Sequence, residues 1–106
     1  KAGVIKLNEM LATEWAQYNI RTNCVSPGVT RTAMIDDLIR DGLADLERYD
    51  RRTPLGRIAE TEEIADVVAF LASDRASYIT GQNLRADGGW VAWGNLDAAG
   101  FPEQAG

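Results

Sequence analysis

The stretch IRTNCVSPG, residues 20–28, decides how this chain can fold. Its β-branched residues Ile20, Thr22 and Val25 favour an extended strand. The Pro-Gly pair at its end stops a strand abruptly, because Pro cannot donate a ladder hydrogen bond and Gly lets the chain turn. We therefore predict a strand over residues 20–26 that ends in a sharp loop.

A helix is predicted ahead of this strand, over residues 2–18, because apolar residues recur there at spacings of three and four. This first stripe consists of Val4, Leu7, Leu11, Trp15 and Tyr18. A second stripe lies off the first and consists of Ile5, Ala12 and Ala16. The helix is therefore expected to contact two partners, a sheet and, as one candidate, another subunit. Asn19 suits the left-handed residue that often ends a helix.

The segment after the loop, residues 33–50, carries an apolar helical face, with charged residues largely elsewhere. That face consists of Ile35, Ile39, Leu43 and Leu46. Gly42 interrupts the pattern, so the segment is predicted to be one mobile amphipathic helix or a helix pair.

The remaining elements are a turn, a helix, a strand and a tail. Thr53-Pro54-Leu55-Gly56 predicts the turn. Thr61, with acids after it, predicts a helix start, and the helix continues through Ile64, Val67, Val68 and Leu71. A short strand is predicted over residues 82–87, with Asp87-Gly88-Gly89 as a sharp exit. Residues 90–106 show little pattern and are predicted to form an extended C-terminal tail over a surface.

The order helix, strand, amphipathic helix, helix, strand indicates an α/β protein. Two strands do not make a stable parallel sheet, and each needs neighbours that these residues do not supply. We therefore expect part of one domain, because the sequence has no repeats, low-complexity tracts or linkers that would mark a second one. The start at Lys1 without an initiator Met also suggests truncation or cleavage of a larger protein.

Composition argues against several classes of function. A formal charge of -5 and a pI near 4.6, with scattered basic residues, argue against nucleic-acid binding. Apolar runs fall short of the roughly 20 residues that span a bilayer, and we expect neither a membrane segment nor a signal peptide. The single Cys24 can form no internal disulfide, which favours a cytoplasmic location and a packing role. The lack of histidine removes Ser-His-Asp catalysis and the usual zinc sets, so no metal site is predicted.

The loop after the first strand is the predicted ligand site, because ligands of open α/β sheets bind beyond the carboxyl ends of the strands. Pro27 fixes the exit direction, and Gly28 lacks a Cβ, so a flat ring can approach the backbone. Val29 can offer its main-chain N–H and C=O, and the hydroxyls of Thr30 and Thr32 can reach an amide or a phosphate oxygen. Taken alone, a Pro-Gly pair after a strand is most simply a turn, so this assignment needs support from the rest of the chain.

Nine short motifs, in order along residues 1–89 and without large gaps, provide that support. They are Lys1-Ala2-Gly3-Val4, Leu11-Ala12-Thr13-Glu14, Ile20-Arg21-Thr22-Asn23, Ser26-Pro27-Gly28, Pro54-Leu55-Gly56-Arg57, Glu62-Glu63-Ile64-Ala65, Phe70-Leu71-Ala72-Ser73, Ile79-Thr80-Gly81-Gln82 and Asp87-Gly88-Gly89. Together they resemble the short-chain dehydrogenase/reductase family. The resemblance implies that residues 1–106 are the C-terminal part of a single NAD(P)-binding domain, with a Rossmann-type doubly wound parallel sheet whose N-terminal half is absent.

The resemblance also implies an NAD(P)-dependent oxidoreductase that moves hydride between a nicotinamide and an alcohol or ketone. Lys1 matches the lysine of the family's Tyr-x-x-x-Lys motif, where its ammonium would hold the nicotinamide ribose and lower the pKa of the catalytic tyrosine. Val29 would bind the nicotinamide carboxamide through its backbone, and Thr32 would bond the carboxamide or the pyrophosphate. The pocket floor would be shaped by Pro27 and Gly28.

Residues 33–50 would close over the nicotinamide as a substrate lid, although a solvated amphipathic helix explains the same pattern. The family's catalytic Tyr would stand four positions before Lys1. That Tyr, the catalytic Ser, the helix Asn, the Gly-rich pyrophosphate loop and the residue that selects the cofactor are not found in this sequence. The chain is therefore expected to be inactive alone, and the choice between NAD(H) and NADP(H) stays open.

Two other interpretations stay open. A non-catalytic relative would keep the fold to bind a nucleotide or a protein. An assembly module is the other, because the helix at 2–18 and the strand at 82–87 resemble the family's two subunit contacts, which implies a homotetramer or homodimer. Trp90 and Trp93 would either pack on such a partner or border the substrate pocket.

Overall fold

The first helix follows the predicted pattern closely. The computed structural model describes residues 1–93, beginning with helix α1, Ala2–Trp15. A 3₁₀ turn, Ala16–Tyr18, extends α1, and Asn19 then takes the left-handed conformation with a φ of 58°. The predicted helix and its Asn19 end are therefore confirmed.

The face of α1 that is buried is not the one with the largest apolar side chains. Asn8 and Ala12 are buried, whereas Val4 and Leu7 are 62% and 53% exposed. Asn8 Nδ2 donates to the carbonyl of Gln82 at 3.3 Å, so the helix approaches the neighbouring backbone with small and polar side chains. The interior side of α1 is thus nearer the second predicted stripe than the first.

Strand β1, Cys24–Pro27, begins four residues later than predicted. In residues 20–23, just before β1, hydrogen bonds from side chains take the place of the backbone bonds between strands. The Arg21 guanidinium donates at 2.8, 3.1 and 3.3 Å to three carbonyls, those of Leu71, Ser73 and Ile79. Because a cation at a helix C-terminus satisfies carbonyls that have no partner in the helix, Arg21 caps the helix that ends at Ala72.

The first pair of strands is β1 with β4, Asn83–Ala86. The Cys24 N–H donates to the carbonyl of Gln82 at 2.8 Å, and the Gly28 N–H donates to that of Ala86 at 3.0 Å. Both strands advance by four residues in the same direction between these bonds, so the pair is parallel.

The second pair is β2, Thr30–Arg31, with β3, Ala59–Glu60. These strands are also parallel, with Thr30 opposite Ala59 and Arg31 opposite Glu60. The predicted α/β class with parallel strands is therefore confirmed.

The amphipathic segment is a helix pair, α2 at Ala33–Arg40 and α3 at Leu46–Arg52. Gly42 ends α2 in the left-handed conformation, with a φ of 73°, and the Leu43 N–H donates back to the Leu38 carbonyl at 2.8 Å. This closure turns Leu43 away from the predicted apolar face and leaves it 76% exposed. Gly42 is thus the interruption that the sequence indicated.

The turn and the helix after α3 are confirmed, and the predicted strand over residues 82–87 is observed as β4, whereas β2 and β3 have no counterpart among the predicted elements. The Gly56 N–H donates to the Thr53 carbonyl at 2.7 Å, which closes the predicted turn. Helix α4, Thr61–Ala72, starts at the predicted residue. None of the helices between residues 1 and 93 has the length and apolar character needed to cross a membrane.

The prediction of an extended tail needs correction at its start. Trp90–Trp93 forms one helical turn, α5. The Asp87 carboxylate makes this possible, because it accepts hydrogen bonds from the N–H groups of Gly89 at 3.0 Å and Val91 at 3.2 Å. The rest of that tail, residues 94–106, lies outside the described residues.

The chain divides into two compact units. The first comprises residues 1–26 and 65–85, and its buried apolar residues are Ala12, Leu71 and Ala76. The second comprises residues 27–64 and 86 onward, where Ile58 and Thr53 are buried.

The close fit at Gly88 predicts a stability effect in the polypeptide that carries this chain. Gly88→Ala should destabilise it by about 1–3 kcal/mol, because Gly88 has a φ of 63° and an added Cβ would lie 2.7 Å from Thr53 Cγ2. Gly3→Ala is the control: a Cβ there meets nothing within 4 Å, and helix propensity makes the change neutral or stabilising by up to about 1 kcal/mol. Urea unfolding measures both variants. A Gly88→Ala protein as stable as wild type would contradict this fit.

Candidate functional site

The loop after β1 passes close to the chain that follows β4. Pro27, the last residue of β1, is exposed, and the loop begins at Gly28. A Cβ on Gly28 would lie 2.8 Å from Cα of Asp87, closer than real Cβ contacts come. Gly28 therefore has a packing reason of its own, independent of any ligand.

Val29 has one backbone group engaged and one available. Its carbonyl accepts a hydrogen bond from the Ala59 N–H at 3.0 Å. Its own N–H has no hydrogen-bond partner among residues 1–93. Because a carbonyl oxygen has a second lone pair, Val29 can present both a donor and an acceptor to a planar amide.

The two threonine hydroxyls of the loop have structural roles. Thr30 Oγ1 donates to the Gly28 carbonyl at 2.9 Å, which stiffens the loop. Thr32 is the N-cap of α2, and its Oγ1 accepts from the Ile35 N–H at 3.3 Å. Since Thr32 Oγ1 is the acceptor in that bond, its hydroxyl proton can still be donated to an incoming oxygen.

The cation of the loop is compensated by acids of the same unit. Arg31 Nη1 lies 3.0 Å from Asp36 Oδ1, and Arg31 Nε lies 3.7 Å from Glu60 Oε1. The loop therefore offers hydrogen-bond donors without an uncompensated positive charge.

Lys1 lies in the first unit, at the N-cap of α1. Its carbonyl accepts from the Ile5 N–H at 3.1 Å, which starts the helix. Its side chain is exposed and makes no ion pair or hydrogen bond with the other described residues. The remaining four predicted site residues, Pro27, Gly28, Val29 and Thr32, lie together in the second unit.

An ion pair supports the strand that binds Val29. Arg57 donates to Glu63 through two bonds, at 2.6 and 2.8 Å, and the Glu60 N–H donates to the same carboxylate at 3.0 Å. The Arg57 hydrogen bond is the main cause that lowers the pKa of Glu63 to about 2, followed by the Glu60 backbone bond. The pKa of Arg57 is raised in turn, chiefly by the same hydrogen bond. Arg57 and Glu63 thus precede and follow Ala59 in the chain, and the Ala59 N–H donates to the Val29 carbonyl.

Sequence reasoning missed two residues of this region. Asp87 packs on Gly28 and caps α5, and the capping role could have been read from an Asp directly before a glycine pair, where its carboxylate can accept from the following N–H groups. The guanidinium carbon of Arg52 lies 4.4 Å from the ring centroid of Trp90, a contact that no local pattern indicates. Within residues 1–93, no group of three or more Cys, Asp or Glu side chains could hold a metal ion.

The Glu63 carboxylate predicts a specific loss of stability in acid. Its pKa of about 2 in the fold lies below the ordinary value of 4.5, so the pair stabilises the fold above about pH 4.5 and loses this contribution as the pH falls towards 2. Glu63→Gln should therefore flatten the dependence of unfolding free energy on pH over that range. Glu62→Gln, which removes a neighbouring carboxylate outside the pair, should retain it. Identical pH profiles for Glu63→Gln and wild type would refute this assignment.

Comparisons with known proteins find several that this chain resembles. A family model described as enoyl-(acyl carrier protein) reductase matches residues 1–91. An uncharacterized short-chain type dehydrogenase/reductase, y4vI, of Sinorhizobium fredii is 51% identical over 92 residues, which cover 87% of this chain and 17% of that protein. A ribulose-forming D-arabinitol 2-dehydrogenase of Scheffersomyces stipitis is 44% identical over 94 residues, which cover 88% of this chain and 34% of that protein.

A solved structure is similar over most of this chain. A 4-hydroxyisoleucine dehydrogenase complexed with NADH has a TM-score of 0.77 and 33% identity, over 86% of this chain and 37% of that one. The chain thus spans 17% to 37% of the length of these three proteins.

Proposed function

The chain belongs to the short-chain dehydrogenase/reductase family and its fold is a fragment of the Rossmann type, and from this premise we propose that the polypeptide carrying it is an NAD(P)-dependent oxidoreductase. Its reaction transfers hydride between a nicotinamide and an alcohol or ketone. The observation that carries this proposal is the Val29 N–H, which has no partner among the described residues and stands at the carboxyl end of β1.

The loop after β1 fits a nicotinamide carboxamide. A carboxamide needs a donor and an acceptor in one plane, and the N–H and C=O of Val29 supply both. The Thr32 hydroxyl adds a donor for the carboxamide oxygen or for the pyrophosphate. Pro27 and Gly28 form the floor of this pocket. When bound, the nicotinamide supplies the hydride donor or acceptor.

Lys1 has the catalytic role in this proposal. Its ammonium hydrogen-bonds the ribose hydroxyls and, as a nearby positive charge, lowers the pKa of a tyrosine one helical turn earlier in the polypeptide. The exposed Lys1 side chain, without an ion pair among residues 1–93, is available for this. The N-terminal half of the same protein supplies that tyrosine, the serine and the pyrophosphate loop, and with them the choice between NAD(H) and NADP(H).

The helices α2 and α3 form the substrate lid, which excludes water from the reacting atoms when closed. Its acids outnumber its arginines by six to four, which disfavours an anionic substrate; the acids are Asp36, Asp37, Asp41, Asp45, Glu47 and Asp50, and the arginines are Arg40, Arg48, Arg51 and Arg52. A neutral alcohol or ketone of small to medium size, such as a polyol, suits this surface best, in line with the name of the S. stipitis relative.

A non-catalytic relative that binds nucleotide or protein is the alternative. The gene distinguishes the two, because catalysis requires Tyr four positions before Lys1 and a Ser ahead of it. A residue other than Tyr at that position would refute the proposal that the polypeptide is an enzyme.

The Lys1 role predicts a kinetic defect. In the full polypeptide, assayed with NADH and NADPH against a panel of ketones and polyols, Lys1→Ala should lower kcat/KM by about 10²- to 10⁴-fold, because the tyrosine loses its nearby charge. Lys6→Ala is the control and should leave turnover unchanged, since within residues 1–93 the Lys6 ammonium pairs with the exposed Glu9 alone, at 3.2 Å. Unaltered kinetics in Lys1→Ala would eliminate this role. The chain expressed alone should show no turnover.

Assembly into a homodimer or homotetramer is also expected. Helix α1 exposes large apolar side chains, including Val4, Leu7 and Met10, which is unfavourable unless another surface covers them. Sedimentation of the full polypeptide at working concentration should therefore give the mass of two or four copies, and a monomer would defeat this expectation.

A further inference from the structure

The end of the lid is held to the turn after β4. Arg52, the last residue of α3, places its guanidinium carbon 4.4 Å from the centroid of the Trp90 ring, and its Nη1 donates to the Trp90 carbonyl at 3.3 Å. Both residues are half-buried, so water competes less with the cation for the face of the ring. We refer to this pair as the Arg52–Trp90 clamp.

Backbone contacts reinforce the clamp on the side of the following turn. The Leu55 N–H donates to the Gly88 carbonyl at 3.1 Å. Thr53 is only 5% exposed, its methyl group occupies the space where a Gly88 side chain would start, and its hydroxyl donates to the Tyr49 carbonyl at 2.7 Å. The C-terminal end of α3 is thus attached to residues 88–90 by three independent contacts.

The other end of the lid has few such attachments. Neither α2 nor α3 has a buried residue, but α2 exposes a large apolar side chain, Met34, which is 67% exposed. At the junction with α3, a Cβ on Gly42 would meet nothing within 4 Å. The contacts with residues 88–90 therefore distinguish the end of α3 from α2, whose ion pair with a residue outside the lid, Asp36 with Arg31, is partly exposed to water.

We propose that Arg52 is a positioning residue that sets the resting place of α3 and so confines lid closure to α2. The turn that Arg52 holds begins at Asp87, whose backbone packs directly on Gly28 of the cofactor loop. Two close contacts, Arg52 with Trp90 and Asp87 with Gly28, therefore fix the position of α3 relative to that loop. The kinetic consequence of this inference rests on the proposed function. The attachment of α3 does not, because it can be measured without turnover.

Removal of the clamp has a selective kinetic consequence. With α3 released, the substrate side of the pocket is correctly formed in only part of the population, which raises the apparent KM for the alcohol or ketone. Cofactor affinity and kcat should change by less than about twofold, because the groups that touch the nicotinamide are untouched. We expect KM to rise about 3- to 30-fold, in line with the usual strength of a half-buried cation–π contact.

The experiment uses the full polypeptide with Arg52→Gln, Trp90→Leu and the double variant. Arg52→Lys keeps the positive charge, so its KM and its exchange rate should lie between those of wild type and Arg52→Gln. Arg48→Gln is the matched control, since Arg48 lies one turn earlier on α3, is exposed and has no partner among residues 1–93. Hydrogen exchange of the peptide covering residues 46–53 reports the attachment directly, and it should become about 3- to 30-fold faster in Arg52→Gln and Trp90→Leu, with no further increase in the double variant.

The results separate this inference from the proposed function. Exchange of residues 46–53 that is the same in Arg52→Gln, Arg48→Gln and wild type overturns the clamp, whether or not the protein turns over. Additive effects in the double variant, or equal acceleration of exchange throughout α1 and α4, overturn it as well. Faster local exchange with an unchanged KM refutes the positioning role. An inactive wild-type protein refutes the proposed function, while the exchange measurement still decides on the clamp.

Discussion

The close approach of the Gly28 and Asp87 backbones is the constraint on which the second unit depends. A side chain on Gly28 would lie 2.8 Å from Asp87 Cα, so β1 and β4 can end side by side only with glycine there. Asp87 then uses its carboxylate to start α5, and the glycine after it accommodates the buried Thr53. Three separate segments therefore meet at one point because two glycines leave room for them.

Most polar groups of the loop after β1 form hydrogen bonds with other groups of the protein. The hydroxyl of Thr30 holds Gly28, that of Thr32 caps α2, and the carbonyl of Val29 binds β3. The charge of Arg31 is compensated by acids. The Val29 N–H and the Thr32 hydroxyl proton are among the donors of this loop that have no partner in residues 1–93. A neutral donor and a neutral acceptor on one residue, Val29, suit a planar amide better than a free anion, which supports the proposal of a carboxamide at this loop.

Local patterns predicted the elements that depend on local chemistry. Asn19 and Gly42 end helices in the left-handed conformation, and Thr61 begins one, because caps need particular residues within one turn. The start of β1 was placed four residues early, because Arg21 reaches carbonyls about fifty residues away and no local pattern reports such a bond. The helical turn at Trp90–Trp93 escaped prediction for a similar reason, since a single turn has no periodicity.

The sequence by itself determined the family, the α/β class and the order of the longer elements, because motifs and caps are encoded by neighbouring residues, but it did not indicate the two-residue strands β2 and β3. Tertiary structure alone decided which face of α1 is buried, since both of its apolar stripes satisfy the same helical period. It also decided which backbone groups stay available for a ligand and that Arg52 faces Trp90. Those outcomes depend on contacts between residues far apart in the chain. The sequence permits several such contacts equally well, and close packing in the folded protein decides which of them form.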